Sequence, residues 1–268
     1  MDARSGERIL IKSAEEIVRL RAACRVVAEV LAEVRAAVAP GVTTLELDRI
    51  AEAGARRRGA EPAFKGYHGY PASLCASVNE EVVHGIPSAS RVLRAGDVVG
   101  LDFGVVLDGL YGDAAITVPV GAVSDQARRL MEVTREALAA GIDEARPERR
   151  VGDLGAAVQR CVEPAGFSVV RDFVGHGIGR RLHEPPQIPN FGIPGTGPRL
   201  RPGMVLALEP MVNAGRFEVE TLDDGWTAVT QDGSLSAHFE HTVAVTEDGP
   251  EILTLPARVT KASPGGGS

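Results

Sequence analysis

Aromatic residues are scarce in this chain: one Trp, three Tyr and seven Phe, or 4% of 268 residues. Phe64, Tyr67 and Tyr70 therefore stand out as a cluster, and so does the single Trp226, whether as core or as pocket. Cysteine is scarcer still. Cys24, Cys75 and Cys161 are odd in number and widely spaced, which excludes a disulfide framework and points to a reducing compartment. Cys24 and Cys161 fall at apolar helical positions and read as core thiols. No long apolar run exists. The stretch from Val98 to Tyr111 is broken by Asp102 and Asp108 and falls short of the roughly 20 residues that a membrane span needs. Met1 to Glu7 hold no apolar segment of a secretory leader, so a cytoplasmic protein is expected. Positive charge is also short. With 29 Lys and Arg against 36 Asp and Glu, the net charge of −7 gives no general attraction to nucleic acid or anionic lipid.

What is present is the mix of a globular protein, 44% hydrophobic and 24% charged. The length allows one large domain or two small ones. Residues 1–10 read as a lead-in, 11–255 as a single folded domain, and 256–268 as a flexible, Gly-rich tail.

The chain also resembles itself. Residues 107 apart coincide repeatedly: Pro40 with Pro147, Leu47 with Leu154, Gly59 with Gly166, Arg94 with Arg201, and Gly96 with Gly203. Six residues after each of the last two glycines stands an acid, Asp102 in one copy and Glu209 in the other. In the first copy, Ser13 and Glu16 form a capping box ahead of a helical apolar pattern that runs to Pro40-Gly41. A second helix is expected from Thr44 to Arg58. The second copy repeats the pair with Asp125–Ala145 and Val151–Glu163. After each pair the pattern becomes strand-like, over Val98–Val106 and Gly203–Val212. These features predict two halves, about 11–120 and 121–255, each a helix pair packed on a sheet and related by a pseudo-two-fold axis. The duplicated acids would face each other where the halves join, a common place for a pocket.

Asp108-Gly109 between apolar runs is a strong two-residue hairpin signal. With that turn, Leu107 pairs with Leu110 and Gly104 with Asp113, so Asp102 and Asp113 become diagonal neighbours on one face. Two apposed carboxylates repel unless a proton or cation lies between them. His176, in Gly175-His176-Gly177-Ile178-Gly179, is a further candidate ligand, and so are Glu209 and Glu240, which sit at the edges of apolar strands. His183 follows seven residues after His176. Two Asp, two Glu and one His suit a pair of divalent ions (manganese, iron, cobalt or zinc) able to generate hydroxide and polarise a carbonyl. His241 is expected on the face opposite Glu240, in a supporting or packing role. His238 is expected at the rim or surface, His68 in a loop, and Glu80 and Glu81 in solvent. The glycines around His176 lack the strand and helix of a phosphate loop, so a nucleotide site is not expected.

The ordered series Asp102, Asp113, His176, Glu209, Glu240 resembles the ligand set of the methionine aminopeptidases. So do the strings Tyr67-His68-Gly69-Tyr70-Pro71, Val83-His84-Gly85-Ile86-Pro87, Glu209-Pro210-Met211-Val212 and Glu240-His241-Thr242. Only 33 residues separate His176 from Glu209, too few for the helical insert of the type II enzymes, so the likeness is to the compact bacterial type I enzyme of peptidase family M24. It implies the α+β pita-bread fold, with two pseudo-symmetric halves around a dinuclear metal site. It implies metal ligation by Asp102, Asp113, His176, Glu209 and Glu240, with Asp113 and Glu240 bridging two divalent ions. Glu209 would also move a proton, His183 would hydrogen-bond the scissile amide, and His84 would line the site near the substrate amine and leaving nitrogen. Tyr67, Tyr70, Cys75 and Trp226 would form the methionine pocket. Asn79, Glu81 and Ser236 match the family's monovalent-cation site. The implied activity is removal of the initiator methionine from nascent chains with a small second residue, by a monomer with transient access to the ribosome exit. Leu182 stands where Phe is usual, Phe64 where Cys is common, Ala114-Ala115 where a hydroxyl pair is common, and His238 where Gln is usual; of these, Leu182 could reshape the methionine pocket. Two alternatives stay open: a proline-directed aminopeptidase on the same fold, and a binding protein that kept the fold without catalysis.

Overall fold

The computed structural model describes residues 8–255; the expected lead-in before Arg8 and the expected tail from Pro256 lie outside the described residues. Helix α1, Ala14–Ala37, begins at the expected capping box. Glu16 N donates to Ser13 Oγ at 3.2 Å, and Ser13 N donates to Glu16 Oε2 at 2.9 Å. Its buried stripe, Leu20, Cys24, Val27, Leu31 and Val34, follows the helical period. Helix α2, Thr44–Arg57, opens with a second capping box, from Thr43 and Glu46. Helices α3, Asp125–Asp143, and α4, Val151–Val162, repeat the pair in the second half. Among the described residues no helix is long and apolar enough to cross a membrane.

The 107-residue offset extends to the backbone hydrogen bonds. Thr43 bridges Val92 as Arg150 bridges Arg199. Leu93 N donates to Val42 O at 2.8 Å, and Leu200 N to Arg149 O at 2.7 Å. Gly96 and Gly203 both take positive φ, 100° and 87°, at turns where a side chain would be strained.

Each helix pair covers a sheet. In the first half the hairpin Val98–Leu107/Leu110–Pro119 has Cys75–Val78 and Glu61–Pro62 beside it. In the second half the order is Gly249–Ile252, His241–Thr246, Val205–Leu208, Gly175–Gly177, Glu184–Ile188. The two largest apolar clusters among the described residues lie one between α1, α2 and the first sheet and one between α3, α4 and the second. Gly112 lets α1 lie against the hairpin: a Cβ there would be 2.9 Å from Cys24 N.

The expected strand Gly203–Val212 is not continuous. It breaks at Glu209-Pro210 into Val205–Leu208 and Met211–Asn213, and the second piece joins another sheet with Ser168–Val169 and Ser236–His238. Pro210 has no N–H to continue the ladder. Glu209 thus sits where the chain changes sheets.

The halves meet along Leu110–Pro119 and the segment entering His241–Thr246. Glu240 N donates to Ala115 O at 2.8 Å, and Ala115 N to Glu240 O at 3.4 Å. Thr242 Oγ1 donates to Asp113 O at 2.7 Å and accepts from Asp113 N at 3.2 Å. These paired bonds bring Asp113 and Glu240 to the same seam.

Candidate metal centre

The hairpin has the expected register: Leu107 faces Leu110, Gly104 faces Asp113, and Asp102 faces Ala115. Asp108 and Gly109 turn with φ of 50° and 75°, as a type I′ turn requires. Asp102 and Asp113 therefore share a face of the first sheet, and the seam adds Glu240. His176 comes from the second sheet, on a strand so tightly flanked that a Cβ on Gly175 would run into Ala207 O and one on Gly177 into Pro185 O. Glu209 follows from the strand break. One ligand atom each from Asp113, His176 and Glu240 lie within 4.8 Å of one another, all three residues buried. His176 Nε2 is 3.5 Å from Glu209 Oε1.

The electrostatics of this cluster are those of too much negative charge in one dry place. Burial pushes the Asp102 carboxyl up to about 7. Asp113, Glu209 and Glu240 are raised well above the usual carboxylate range, first by burial and then by the neighbouring carboxylates. Asp102 Oδ1, Asp113 Oδ1 and Glu240 Oε1 are buried with no hydrogen-bond partner. Buried acceptors left unpaired are costly, and crowded carboxylates more so. His176 lies the other way. Burial lowers it to about 4, so it is neutral, and its Nδ1 lies 2.9 Å from Gly177 O. A carbonyl only accepts, so Nδ1 carries the proton and the Nε2 lone pair is free for a ligand. Four carboxylates, Asp113 and Glu240 buried and Asp102 and Glu209 partly so, and one oriented imidazole fit divalent cations.

These five residues line a cavity of about 540 Å³, and so do His84, His183, Tyr67, Tyr70, Cys75 and Trp226. Tyr67 Oη is 2.7 Å from His183 Nδ1, and the rings of His183 and His176 are 4.3 Å apart. Tyr70 is fixed by its hydroxyl, 3.1 Å from both Leu74 O and Gly85 O, and meets Trp226 edge-on at 5.1 Å. His84 lies edge-on to Phe173 at 5.4 Å and to Trp226 at 6.2 Å. Burial lowers His84 to about 4, and His183 is lowered too, by loss of solvation at the cavity and by the neighbouring His176 and His84 rings, so both are neutral. Leu182, almost wholly buried, also lines the cavity.

Some residues stand elsewhere than expected. His238 is not at the surface. It is buried, with its Nε2 3.8 Å from Glu209 Oε2, because Ser236–His238 pairs with Met211–Asn213 and its carbonyl accepts from Thr117 Oγ1. Glu81 is not solvated either. Its Oε2 accepts from Val78 N at 2.6 Å and its other oxygen is 3.3 Å from Arg91, a capping geometry that draws the side chain in. Cys161 is only partly buried, unlike Cys24. His241 turns away to Thr254 Oγ1 at 2.8 Å, and His68 sits exposed in a turn at the cavity mouth. Asn79 and Ser236 are adjacent, Ser236 N donating to Asn79 O at 2.9 Å. Sequence reasoning missed Phe173, the aromatic wall behind His84. In a chain so poor in aromatics, a Phe three residues before His176 was the available signal.

The loop carrying His183 is tied down from behind. Lys12 Nζ lies 2.6 Å from Glu184 Oε2, and both side chains are excluded from water. The other oxygen of Glu184 accepts from Arg180 N at 2.7 Å and Arg181 N at 3.1 Å. Glu184→Gln leaves the Lys12 charge buried and unpaired, so urea denaturation is expected to show a loss of about 3–5 kcal/mol. The double variant Lys12→Met/Glu184→Gln is expected to lose less than Glu184→Gln alone; a larger loss in the double variant would contradict this account of the pair.

Comparison with known proteins adds the kinship of the chain. Residues 18–247 match metallopeptidase family M24. A methionine aminopeptidase of Clostridium perfringens is 54% identical over 247 residues, spanning 92% of this chain and 99% of that one. The crystal structure of a methionine aminopeptidase from Thermotoga maritima superposes with a TM-score of 0.91 at 50% identity, covering 92% of this chain and 99% of that one. A prolidase from Pyrococcus furiosus shares the fold at a TM-score of 0.76 and 23% identity, covering 92% of this chain and 66% of that one.

Proposed function

The chain belongs to metallopeptidase family M24, and from that premise we propose that it hydrolytically removes the N-terminal methionine of nascent proteins whose second residue is small. The observation that carries this reading is the shape of one cavity. Its floor is the set Asp102, Asp113, His176, Glu209 and Glu240, and its wall is Tyr67, Tyr70, Cys75 and Trp226. The floor demands cations; the wall offers a thioether side chain apolar and sulfur-tolerant contacts.

In this reading Asp102, Asp113, His176, Glu209 and Glu240 would hold two divalent ions, with Asp113 and Glu240 contributed from the seam. Bound there, the ions supply Lewis acidity toward the scissile carbonyl and toward a water molecule. The chain does the rest. Glu209, its carboxylate where the strand breaks, takes a proton from the attacking water and returns it to the leaving nitrogen. Neutral His183 donates a hydrogen bond to the carbonyl oxygen as negative charge develops on it. His84, held neutral by burial, lies by the substrate amine and the leaving nitrogen. Leu182 sits at the pocket wall and sets how deep a side chain can reach. We further propose a monovalent cation near Asn79, Glu81 and Ser236, a single domain over residues 11–255, a cytoplasmic monomer, and transient contact with the ribosome.

The test is methionine release from Met-Ala-Ser by metal-stripped protein, with and without added manganese or cobalt, beside Ala-Pro-Ala. Methionine release that needs metal, with the proline peptide untouched, is expected. Cleavage of the proline peptide alone would move the chain to the proline-directed branch, and no hydrolysis with any metal would overturn the peptidase reading.

A further inference from the structure

Two histidines share the cavity with rings 4.3 Å apart, yet the proposed reaction asks opposite things of them. His176 must present a lone pair to an ion. His183 must present an N–H to substrate and must not become a ligand. We infer that their Nδ1 partners sort them: Gly177 O fixes His176 as the Nδ1–H tautomer, and the Tyr67 hydroxyl fixes His183 as the Nε2–H tautomer, which makes Tyr67 a positioning residue as well as a wall of the pocket.

A neutral imidazole has one donor and one acceptor nitrogen. At His176 the partner of Nδ1 is a carbonyl 2.9 Å away, which can only accept. At His183 the partner is a phenol 2.7 Å away, which can donate. Among the described residues Tyr67 Oη makes no other hydrogen bond, and His183 Nε2 makes none. A phenol is a better donor than an imidazole N–H, and an imidazole nitrogen is a better acceptor than a phenol oxygen, so the pair runs O–H to Nδ1. The proton then sits on Nε2, toward a cavity floored by four carboxylates. The reverse arrangement would leave a lone pair facing that floor, repelled when it is bare and ligating when ions fill it. Lys12 and Glu184 hold the backbone beside His183, so the ring meets Tyr67 in one register.

This inference rests on the peptidase reading for its kinetic consequence only, so the test has two arms. The first needs no metal and no substrate. Nitrogen-15 spectra of the metal-free protein, with signals assigned by their loss in His176→Ala and His183→Ala, are expected to show Nδ1–H at His176 and Nε2–H at His183. In Tyr67→Phe, which keeps the ring, His183 is expected to become a tautomer mixture while His176 is unchanged. The second arm is turnover of Met-Ala-Ser. Tyr67→Phe is expected to lower kcat by up to about tenfold, the size of one neutral hydrogen bond, with KM changed by no more than about twofold. An Nδ1–H signal at His183 in the parent, or a tautomer balance that Tyr67→Phe leaves untouched, would overturn the assignment. Absence of methionine release by the parent would overturn the peptidase reading instead, and the spectra alone would then decide the role of Tyr67.

Discussion

Glu240→Gln is expected to abolish methionine release and, at the same time, to raise the thermal midpoint of the metal-free protein. The two effects have one cause. Glu240 shares a buried site with Asp102, Asp113 and Glu209, and its Oε1 has no partner. Glutamine keeps the shape, removes one of the repelling charges and adds a donor for a neighbouring carboxylate. Each kcal/mol of relieved repulsion raises the midpoint by about 2–4 °C in a chain of this size. The same change removes a carboxylate at the seam where both halves contribute, so added manganese or cobalt should no longer raise the midpoint as it does in the parent. The sign of the pH dependence follows from the same carboxyls. Asp102 is raised from 3.8 to about 7 in the folded protein. Between those values the native state binds a proton that the unfolded chain has lost, so stability of the metal-free protein falls as pH rises through this window. Below about 4 both states are protonated and the loss is absent. Cations displace these protons, so the rise in midpoint on adding metal should be larger near pH 7.5 than near about pH 5.5. Scanning calorimetry with and without metal, at both pH values, checks each of these statements. A Glu240→Gln protein that still turns over would remove Glu240 from the metal centre.

The chemistry of the floor was legible because it depends on local signals. The Asp108-Gly109 turn fixes a register, and a register fixes which residues share a face, so the apposition of Asp102 and Asp113 needed no tertiary knowledge. The 107-residue offset made the two halves visible, because capping boxes and positive-φ glycines leave marks in sequence. What was not legible came from the seam and from broken strands. Pro210 signals that a ladder must stop, but not that the chain then changes sheets. His238 reads as a rim residue by strand alternation alone. It is buried because Ser236–His238 pairs with Met211–Asn213 and its carbonyl accepts from Thr117 Oγ1 at 2.8 Å, across the halves. Glu81 looked solvated because its partner, Val78 N, is a capping interaction and not a periodic one. Phe173 and the Tyr67–His183 bond depend on side-chain directions from segments more than 80 residues apart in one case and 116 in the other, for which no periodic pattern exists.

His183→Ala is expected to lower kcat for Met-Ala-Ser by about 10²–10³ while leaving metal content unchanged, the loss typical of removing one donor to a developing oxyanion. The division of labour follows from placement. His176 lies 3.5 Å from Glu209 and has its Nδ1 committed to a backbone carbonyl, so its removal takes away a ligand. His183 has its Nδ1 committed to Tyr67 and stands outside the cluster of Asp113, His176 and Glu240 ligand atoms, so its removal takes away a donor. The alanine also opens space beside Leu182, which should raise KM modestly, because the methionine wall loses a neighbour and the floor does not. Metal content after dialysis, read beside kcat and KM, separates these roles. If His183→Ala lost its metals in step with its activity, His183 would belong to the floor, and the carbonyl oxygen would need another donor from this chain. His84, neutral and facing the same cavity from the Phe173 side, would be the group to substitute next.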